Sequence, residues 1–393
     1  MDYNPFLPEV QHNPYPYYAH LREHAPVYQV PGVGFWAISR YDDVFHVLKS
    51  PQVFSNAIIG AAVLGDLDYF PPDAPALLGS DPPYHTRLRK LANRAFTPRR
   101  IASLESHIRA VTQQLLQGVA PHGTFDLIRE LAAPLPTIAI AELLGVPPEQ
   151  RDNFRRWIDD VVRAINGSGI LPEEREQVRQ SMAELRAYLQ TAIAAYHKQP
   201  GDNLLSDLVR AEEEEQRLTD DEILSLALIL FPAGSETTRN LIGNTMLALL
   251  NHPEQLAQVR ANRALIPRVI EEVLRYDSPV QTMPRLAPQE VQLSGTTIPA
   301  GSVMLLLFGS ANHDERKFAE PERFDITRNI EEHIAFGFGI HFCLGAQLAR
   351  LEGKVALEVL LEQFPRLACT EEHIPRVESL IVRGVKTLPL MVQ

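Results

Sequence analysis

The sequence predicts a mainly α-helical chain with small β-sheets. From Tyr84 to about residue 260, apolar residues recur at helical spacing, and short alternating runs within 27–39 and 285–310 are typical of strands. No internal repeat, low-complexity linker or abrupt change in composition divides the chain. We therefore expect one domain over residues 1–393, with a helix-poor, sheet-containing part at about 1–83 and a helix-rich remainder.

The elements up to residue 210 follow from local patterns. Val27–Ser39 alternates around a Pro-Gly pair and predicts a hairpin, and Tyr41–Lys49 predicts a short amphipathic helix. Ser50–Pro83 has little periodicity, and loops of that length are often functional. The helices predicted after this loop are 84–96, 99–117, 124–143, 148–166, 172–197 and 202–210.

A long helix is predicted next. Thr219 and Glu222 form a capping box before an apolar run, and this helix continues to about Leu250, roughly 45 Å at 1.5 Å per residue. The later predictions are helices near 253–261 and 264–276, strands within 285–310, an irregular segment over 312–332, a helix from about Leu344 to Gln363 and a short strand-like tail.

Charge and cysteine content exclude several classes of protein. The 393 residues carry 37 basic and 49 acidic side chains, a net charge of −12, which argues against a nucleic-acid binder. Two cysteines are too few for a disulfide-stapled scaffold or a cysteine-rich zinc site. We see no secretory signal, and glycines and a proline interrupt the longest charge-free run, Val291–His313. We expect a cytoplasmic protein without membrane insertion.

The segment Phe336–Gly345, FGFGIHFCLG, is the most informative in the chain. Its glycines permit tight turns and close approach of a flat ligand, and Cys343 lies at the predicted start of a helix, where the helix dipole favours a thiolate. A thiolate there is a good axial ligand for haem iron. The alternative is a buried structural cysteine, which is our interpretation of Cys369.

A second segment, Ala233–Thr238 (AGSETT), follows an almost wholly apolar run in the long helix. Pro232 removes the hydrogen bond to the carbonyl near Leu228, so we expect a kinked or widened helix there. A freed carbonyl, a hydroxyl and the Glu236 carboxylate would make a place to hold water and O2 and to relay protons. The alternative is an exposed glutamate followed by ordinary threonines.

These motifs resemble the cytochrome P-450 family. Phe336, Gly339, His341, Cys343 and Gly345 resemble its haem-binding signature, and AGSETT resembles its distal-helix segment. The resemblance covers essentially the whole chain and implies the family's fold, with haem b (iron protoporphyrin IX) between a long distal helix and a proximal cysteine loop. It also implies that Cys343 is the iron ligand.

The resemblance implies further site residues. Glu236 and Thr237 would be catalytic, delivering protons and stabilising activated O2, and the cofactor-binding residues would be His85, Arg89, Ala233, Arg285, Phe336, His341 and Gly345. A folding triad would join Glu272 and Arg275 to a second arginine, for which we choose Arg323, with Arg328 in reserve.

The implied reaction inserts one oxygen atom from O2 into an apolar substrate, by C–H hydroxylation or epoxidation. The first candidate lining is the loop Ser50–Pro83, which includes Val63, Leu64 and Leu67 and no lysine or arginine. Other candidate lining residues are Leu226, Leu230, Val280, Met283, Leu380 and Ile381. We expect a neutral or weakly cationic substrate of moderate size, while Arg163 or Arg285 could still meet a fatty-acid carboxylate.

No flavin domain or iron–sulfur cluster is encoded in the chain, so electrons from NAD(P)H must arrive through a ferredoxin or flavodoxin with its reductase. A basic patch for such a partner could comprise Arg94, Arg99, Arg100, Arg350 and Lys354, or these could be scattered solvated cations. Two other functions stay open: a peroxide-driven haem enzyme, and a non-catalytic haem sensor or electron carrier.

Overall fold

The computed structural model of the chain describes residues 3–59, 69–119, 123–166, 172–213, 216–330 and 332–393. The loop residues Val63, Leu64 and Leu67 therefore lie outside the described residues. Within those ranges, helices dominate and strands are short, which confirms the predicted fold class.

The α-helices follow the predicted order with small differences in their bounds. They are Pro8–His12, Tyr15–His24, Tyr41–Lys49, Tyr84–Ala95, Pro98–Ser103, Glu105–Leu116, Pro134–Leu143, Arg151–Asn166, Pro172–Lys198, Leu204–Arg210, Asp220–Asn251, Pro253–Ala261, Ile266–Tyr276, Phe308–Ala311 and Ala346–Gln363.

The strands are two to six residues long. They are β1 Val27–Gln29, β2 Phe35–Ile38, β3 Thr124–Asp126, β4 Glu212–Glu213, β5 Gln216–Arg217, β6 Thr282–Ala287, β7 Val291–Leu293, β8 Thr296–Ile298, β9 Ser302–Leu307, β10 Leu367–Cys369 and β11 Pro389–Val392.

The chain divides into two compact units. Unit 1 comprises residues 1–54, 102–135 and 237–393. Its largest sheet has the order β1-β2-β9-β6, in which β2 and β9 are parallel and the other neighbours antiparallel. A second sheet has the order β10-β11-β3, and β7 pairs with β8 as a hairpin. Fully buried apolar residues pack this sheet against the helix Tyr41–Lys49, among them Ile38, Val44, Met304 and Leu306.

Unit 2 comprises residues 55–101 and 136–236, and it is mainly helical with the β4–β5 hairpin. An aromatic cluster forms part of its core. Phe154 has its ring centroid 5.0 Å from those of Trp157, Tyr188 and Phe231. Phe231 belongs to the helix Asp220–Asn251, so this cluster packs the first half of that helix against its neighbours in unit 2.

The helix Asp220–Asn251, called the long helix below, begins with the predicted capping box. The Thr219 N–H donates to Glu222 Oε2 at 2.9 Å, and the Glu222 N–H donates to Thr219 Oγ1 at 3.2 Å. The helix then continues through Pro232 without a break.

The helix Ile266–Tyr276 carries the predicted folding triad, but its third member is Arg328. Arg275 donates to both Glu272 oxygens at 2.8 and 2.9 Å, and both side chains are fully buried. Arg328 Nε lies 3.5 Å from Glu272 Oε1, and its side chain is mostly buried. Our choice of Arg323 was wrong, because its side chain is exposed and pairs with Glu320, and only its backbone carbonyl accepts from Arg275.

Two other predictions need correction. The single helix expected over 124–143 is instead strand β3, a π-helical turn at Ile128–Ala132 and the helix Pro134–Leu143. The helix after Cys343 begins at Ala346, not at Leu344. Within the described ranges, no helix combines the length and hydropathy needed to cross a membrane.

Candidate functional site

The cysteine loop, Phe336–Gly345, lies in unit 1 between the irregular segment and the helix Ala346–Gln363. Its ends are joined by the Cys343 N–H, which donates to the Phe336 carbonyl at 3.0 Å. Gly337 and Gly339 have φ of 70° and 72°, a backbone conformation that residues with a Cβ atom rarely adopt. The fold therefore presents Cys343 on a tight loop just ahead of an 18-residue helix, and the residue is exposed.

Gly339 is also required by packing. A Cβ atom at this position would lie 2.8 Å from the carbonyl oxygen of Leu48, at the end of the helix Tyr41–Lys49. Phe338 next to it packs on Phe45 of the same helix, with ring centroids 4.4 Å apart. The loop is thus seated on this helix through backbone contact and an aromatic pair.

Aromatic surface lies beside the cysteine. Phe342 and Phe338 are each 39% exposed, which is unusual for large apolar side chains. Gly345, which precedes the first helical residue, would place a Cβ where no atom lies within 4 Å. The loop therefore combines a thiol, exposed aromatic rings and open space at Gly345, a set suited to a large flat apolar ligand.

Arg350 braces this loop from the following helix. Its guanidinium carbon lies 4.5 Å from the centroid of the Phe336 ring, and it donates to Glu271 through Nε at 2.6 Å and Nη2 at 2.9 Å. His333 Nδ1 accepts the Ala335 N–H at 3.2 Å, so its Nε2 carries the proton and donates to Glu271 at 3.0 Å.

Glu271 is therefore held as a carboxylate. Burial alone raises the pKa of Glu271, but the hydrogen bonds from His333 and Arg350, together with the Arg350 charge, outweigh burial and lower the pKa to about 2. The sequence offered no signal for this brace, because the three residues are distant along the chain. The sequence left Arg350 open as part of a partner-docking patch or as a solvated cation.

Two more predicted cofactor contacts, Arg285 and His341, also lie in unit 1. Arg285 is in β6, opposite Met304 of β9, and it is 4% exposed. Its Nη1 donates to the Pro284 carbonyl at 2.8 Å. His341 is half-buried at the end of a 3-10 turn, Gly339–His341. One loop thus carries Phe336, His341, Cys343 and Gly345. Arg285 is instead buried in the sheet of unit 1.

Two of the remaining predicted contacts, His85 and Arg89, lie on one helix of unit 2. His85 and Arg89 share the helix Tyr84–Ala95, as their spacing predicts. His85 is buried, and burial together with the neighbouring Arg89 charge lowers its pKa to about 4, although Asp81 opposes the shift. Its imidazole is therefore neutral at physiological pH. Arg89 is half-buried and donates from Nε to Asn93 Oδ1 at 3.1 Å.

The long helix carries Ala233, Glu236 and Thr237 just after Pro232. Ala233 is exposed, while most of the helix from Glu222 to Leu228 is buried. Glu236 and Thr237 are half-buried. An exposed small residue beside an acid and an alcohol is what a ligand-facing turn of an apolar helix requires.

The hydrogen bonding of the Leu228 carbonyl differs from our expectation. This carbonyl was predicted to be freed by Pro232 and to hold water or O2, yet it accepts a hydrogen bond from the Tyr69 hydroxyl at 2.8 Å. The carbonyl therefore already has a protein donor. The missing signal was in the sequence: a proline inside a buried helix leaves an acceptor four residues earlier that some side chain has to satisfy.

These residues fit a haem group by their chemistry. An exposed cysteine before a helix can supply a thiolate ligand, the aromatic rings can cover an apolar macrocycle, and arginines and histidines can meet its propionates. This agreement is one of chemistry: it concerns which ligand, aromatic and cationic side chains each unit supplies.

Comparisons with known proteins agree with this chemistry. The family model described as Cytochrome P450 matches residues 7–392. Cytochrome P450 107B1 of Saccharopolyspora erythraea is 42% identical over 387 residues, which cover 95% of this chain and 93% of that protein.

Two solved structures are also similar. Cytochrome P450 CYP109Q5 from Chondromyces apiculatus has a TM-score of 0.91 at 41% identity and covers 100% of this chain and 98% of its own. CYP109E1 from Bacillus megaterium, solved in complex with testosterone, has a TM-score of 0.88 at 35% identity, with 97% of this chain and 99% of that chain covered.

Proposed function

The chain belongs to the cytochrome P450 family of monooxygenases, and from this premise we propose that the Cys343 thiolate would hold its haem iron. The observation that carries this proposal is the exposed Cys343 on a glycine-shaped loop ahead of the helix Ala346–Gln363. The positive end of that helix dipole stabilises a thiolate. Thiolate ligation favours O–O cleavage, which separates this family from haem proteins with histidine ligands.

Haem b, when bound, supplies the iron that activates O2 so that one oxygen atom enters a C–H or C=C bond of the substrate. The residues of this chain bind and orient it. We propose that Phe336, Gly345 and Ala233 allow close contact with the macrocycle. His341, Arg285, His85 and Arg89 would then neutralise its propionates.

His85 can serve as a neutral donor. A neutral imidazole still has one N–H to give to a propionate oxygen. A propionate placed beside it would in turn raise the pKa of His85, because an opposite charge favours the protonated form. The low pKa of His85 in the protein alone is therefore compatible with a role in cofactor binding.

Glu236 and Thr237 are the proposed catalytic residues. The Glu236 carboxylate would pass protons from solvent toward the apolar interior, and the Thr237 hydroxyl would donate a hydrogen bond to O2 in that interior. Both side chains are half-buried, a position that can reach both solvent and an apolar cavity. These roles distinguish a monooxygenase from a sensor, which has no need of a proton relay.

The proposed substrate is apolar, neutral and of moderate size, and a steroid such as testosterone is a suitable first probe. The relative CYP109E1 was solved with testosterone. Among the residues expected to line the site, Leu230, Met283 and Leu380 are half-buried and accessible to a ligand. Leu226 is 2% exposed, so we now assign it to the packed core.

The proposed electron source is NAD(P)H through a ferredoxin or flavodoxin and its reductase, in the cytoplasm, where reduced nicotinamide is found. The predicted basic patch is smaller than the sequence indicates. Arg350 pairs with Glu271, Lys354 with Glu105 and Arg100 with Asp202, whereas Arg99 is exposed. Cations with acidic neighbours contribute little to steering.

Glutamine at Arg99 should therefore slow reduction by an acidic ferredoxin more than glutamine at Lys354. Stopped-flow reduction rates at low and high salt measure this difference. Equal slowing by the two substitutions would contradict the proposal.

The carbon monoxide spectrum of the reduced holoenzyme tests the ligand assignment. The wild-type protein should show the red-shifted band of thiolate ligation, and Cys343→Ala should abolish it. Cys369→Ala is the matched control, because the Cys369 thiol is directed to the Glu371 carbonyl, 3.2 Å away in the C-terminal tail. If the Cys343→Ala protein kept the band, the assignment would be wrong.

A further inference from the structure

Pro232 creates a local problem inside the long helix. Proline has no N–H, so it cannot donate to the carbonyl of the residue four positions earlier, which is Leu228. Leu228 is fully buried, so its carbonyl has little access to solvent. Buried backbone carbonyls nearly always accept a hydrogen bond. The donor to Leu228 must therefore come from a group other than the backbone N–H groups of this helix.

Tyr69 provides that donor. Its hydroxyl oxygen lies 2.8 Å from the Leu228 carbonyl oxygen, and the side chain is 1% exposed. Burial raises the pKa of Tyr69 well above its usual value, although the Arg186 charge opposes the shift, so the phenol keeps its proton and donates it. The hydroxyl thus takes the place of the N–H that Pro232 lacks.

The segment that contains Tyr69 is tied to the same helix face a second time. Ser225, three residues before Leu228 and therefore on the same face, donates from Oγ to the Ala74 carbonyl. Arg186 of the helix Pro172–Lys198 donates to the Tyr69 carbonyl at 2.9 Å. The Tyr69 carbonyl and the backbone at Ala74 are thereby held, and these contacts fix the chain from which the hydroxyl reaches Leu228.

This contact lies about two turns before the residues assigned to oxygen chemistry. Leu228 precedes Ala233 by five residues and Glu236 by eight in the same helix, and Pro232 directly precedes Ala233. We propose that Tyr69 is a positioning residue, which acts through Leu228 to hold the turn that carries Ala233 toward the haem. The role rests on the proposed function, since it presumes that Ala233 faces the cofactor.

A double-mutant cycle on the haem-loaded protein tests this inference. The four proteins are wild type, Tyr69→Phe, Pro232→Ala and the double variant. Tyr69→Phe removes only the hydroxyl, and Pro232→Ala restores a backbone N–H that can donate to Leu228. The measurements are the midpoint of thermal unfolding and the dissociation constant of imidazole, a simple ligand of haem iron, from the shift of the haem absorption band.

Tyr69→Phe should lower the unfolding midpoint and change the imidazole dissociation constant roughly two- to tenfold, the range of coupling between contacting residues. In the Pro232→Ala background the same substitution should have less than half of either effect. Tyr188→Phe, whose ring packs on Phe154 in the same unit, is the matched control and should leave the imidazole constant unchanged. If Pro232→Ala does not fold, Pro232→Gly restores the same N–H.

Equal effects of Tyr69→Phe in both backgrounds would overturn the inference. So would a lower unfolding midpoint with an unchanged imidazole constant, because Tyr69 would then be only a structural residue. Failure of the proposed function is recognised separately, by the absence of the thiolate band in the wild-type carbon monoxide spectrum. In that case the unfolding cycle still shows whether the Tyr69 hydroxyl replaces the missing N–H.

Discussion

The guanidinium of Arg350 lies over the ring of Phe336, 4.5 Å from its centroid, while two of its N–H groups bond to Glu271. Phe336 begins the loop that ends two residues after Cys343, and its carbonyl accepts the Cys343 N–H. The position of the thiol thus depends on an arginine seven residues later, in the second turn of the following helix. Arg350 is thus a brace of the cysteine loop.

Replacing Arg350 with Met should loosen this loop. The substitution leaves the Glu271 carboxylate with His333 alone and removes the cation from the Phe336 ring. We expect faster loss of haem and a fall in the free energy of unfolding of about 1–3 kcal/mol. Transfer of haem to an acceptor protein and urea unfolding measure the two effects.

Lys354→Met is the matched control on the same helix. Lys354 is as exposed as Arg350, and it pairs with Glu105 away from the cysteine loop. This variant should lose haem at the wild-type rate. If both variants lost haem equally fast, the brace would have no specific role.

Glu352 should make the protein less stable at alkaline pH. It is buried in the helix Ala346–Gln363, and within the described part of the chain no donor reaches its Oε2 atom. Burial raises the pKa of Glu352 to about 8, from 4.5 in the unfolded chain. Between these values the folded protein holds a proton that the unfolded chain releases, so stability falls as pH rises through this window and levels off above it.

Glu352→Gln removes this dependence. The variant should unfold at a higher temperature than wild type at about pH 9, by an amount that reflects roughly 1.4 kcal/mol per unit of pKa shift, and close to the wild-type temperature at about pH 5. Calorimetry at both pH values is the measurement. Glu362→Gln, an exposed site on the same helix, is the control. A constant difference between Glu352→Gln and wild type at both pH values would contradict the prediction.

Thr237→Ala should retain haem but divert electrons from product to peroxide. Loss of the hydroxyl removes the proposed donor to bound O2, and we expect a drop in product per NADPH of roughly tenfold or more. Product and peroxide yields with testosterone as probe, a surrogate ferredoxin and its reductase check this. Thr245→Ala is the control, because its hydroxyl is committed to the Leu241 carbonyl at 2.7 Å on the same helix.

The same measurement separates the two other functions. Turnover with hydrogen peroxide alone, unaffected by the loss of Thr237, would identify a peroxide-driven enzyme. Haem binding without any consumption of NADPH in the presence of redox proteins would identify a sensor or electron carrier.

Features encoded by neighbouring residues could be predicted from the sequence. The helix Tyr41–Lys49 has the predicted bounds, because its amphipathic spacing is local. The capping box of Thr219 and Glu222 forms as expected, since both partners lie within one turn. The motif around Cys343 indicated the family for the same reason, because its glycines, its histidine and its cysteine all lie within ten consecutive residues.

Contacts between distant residues could not be predicted in this way. Residues 124–126 form a strand only because β11, more than 260 residues later, pairs with them. Arg328 rather than Arg323 reaches Glu272, since the turn between them decides which side chain points inward. The sequence by itself determined the family and the order of helices, and it singled out Cys343 as the candidate ligand. Only the tertiary structure decided which distant donor meets each buried acceptor, Tyr69 at Leu228 above all, because a buried polar group takes its partner from whatever the fold packs beside it.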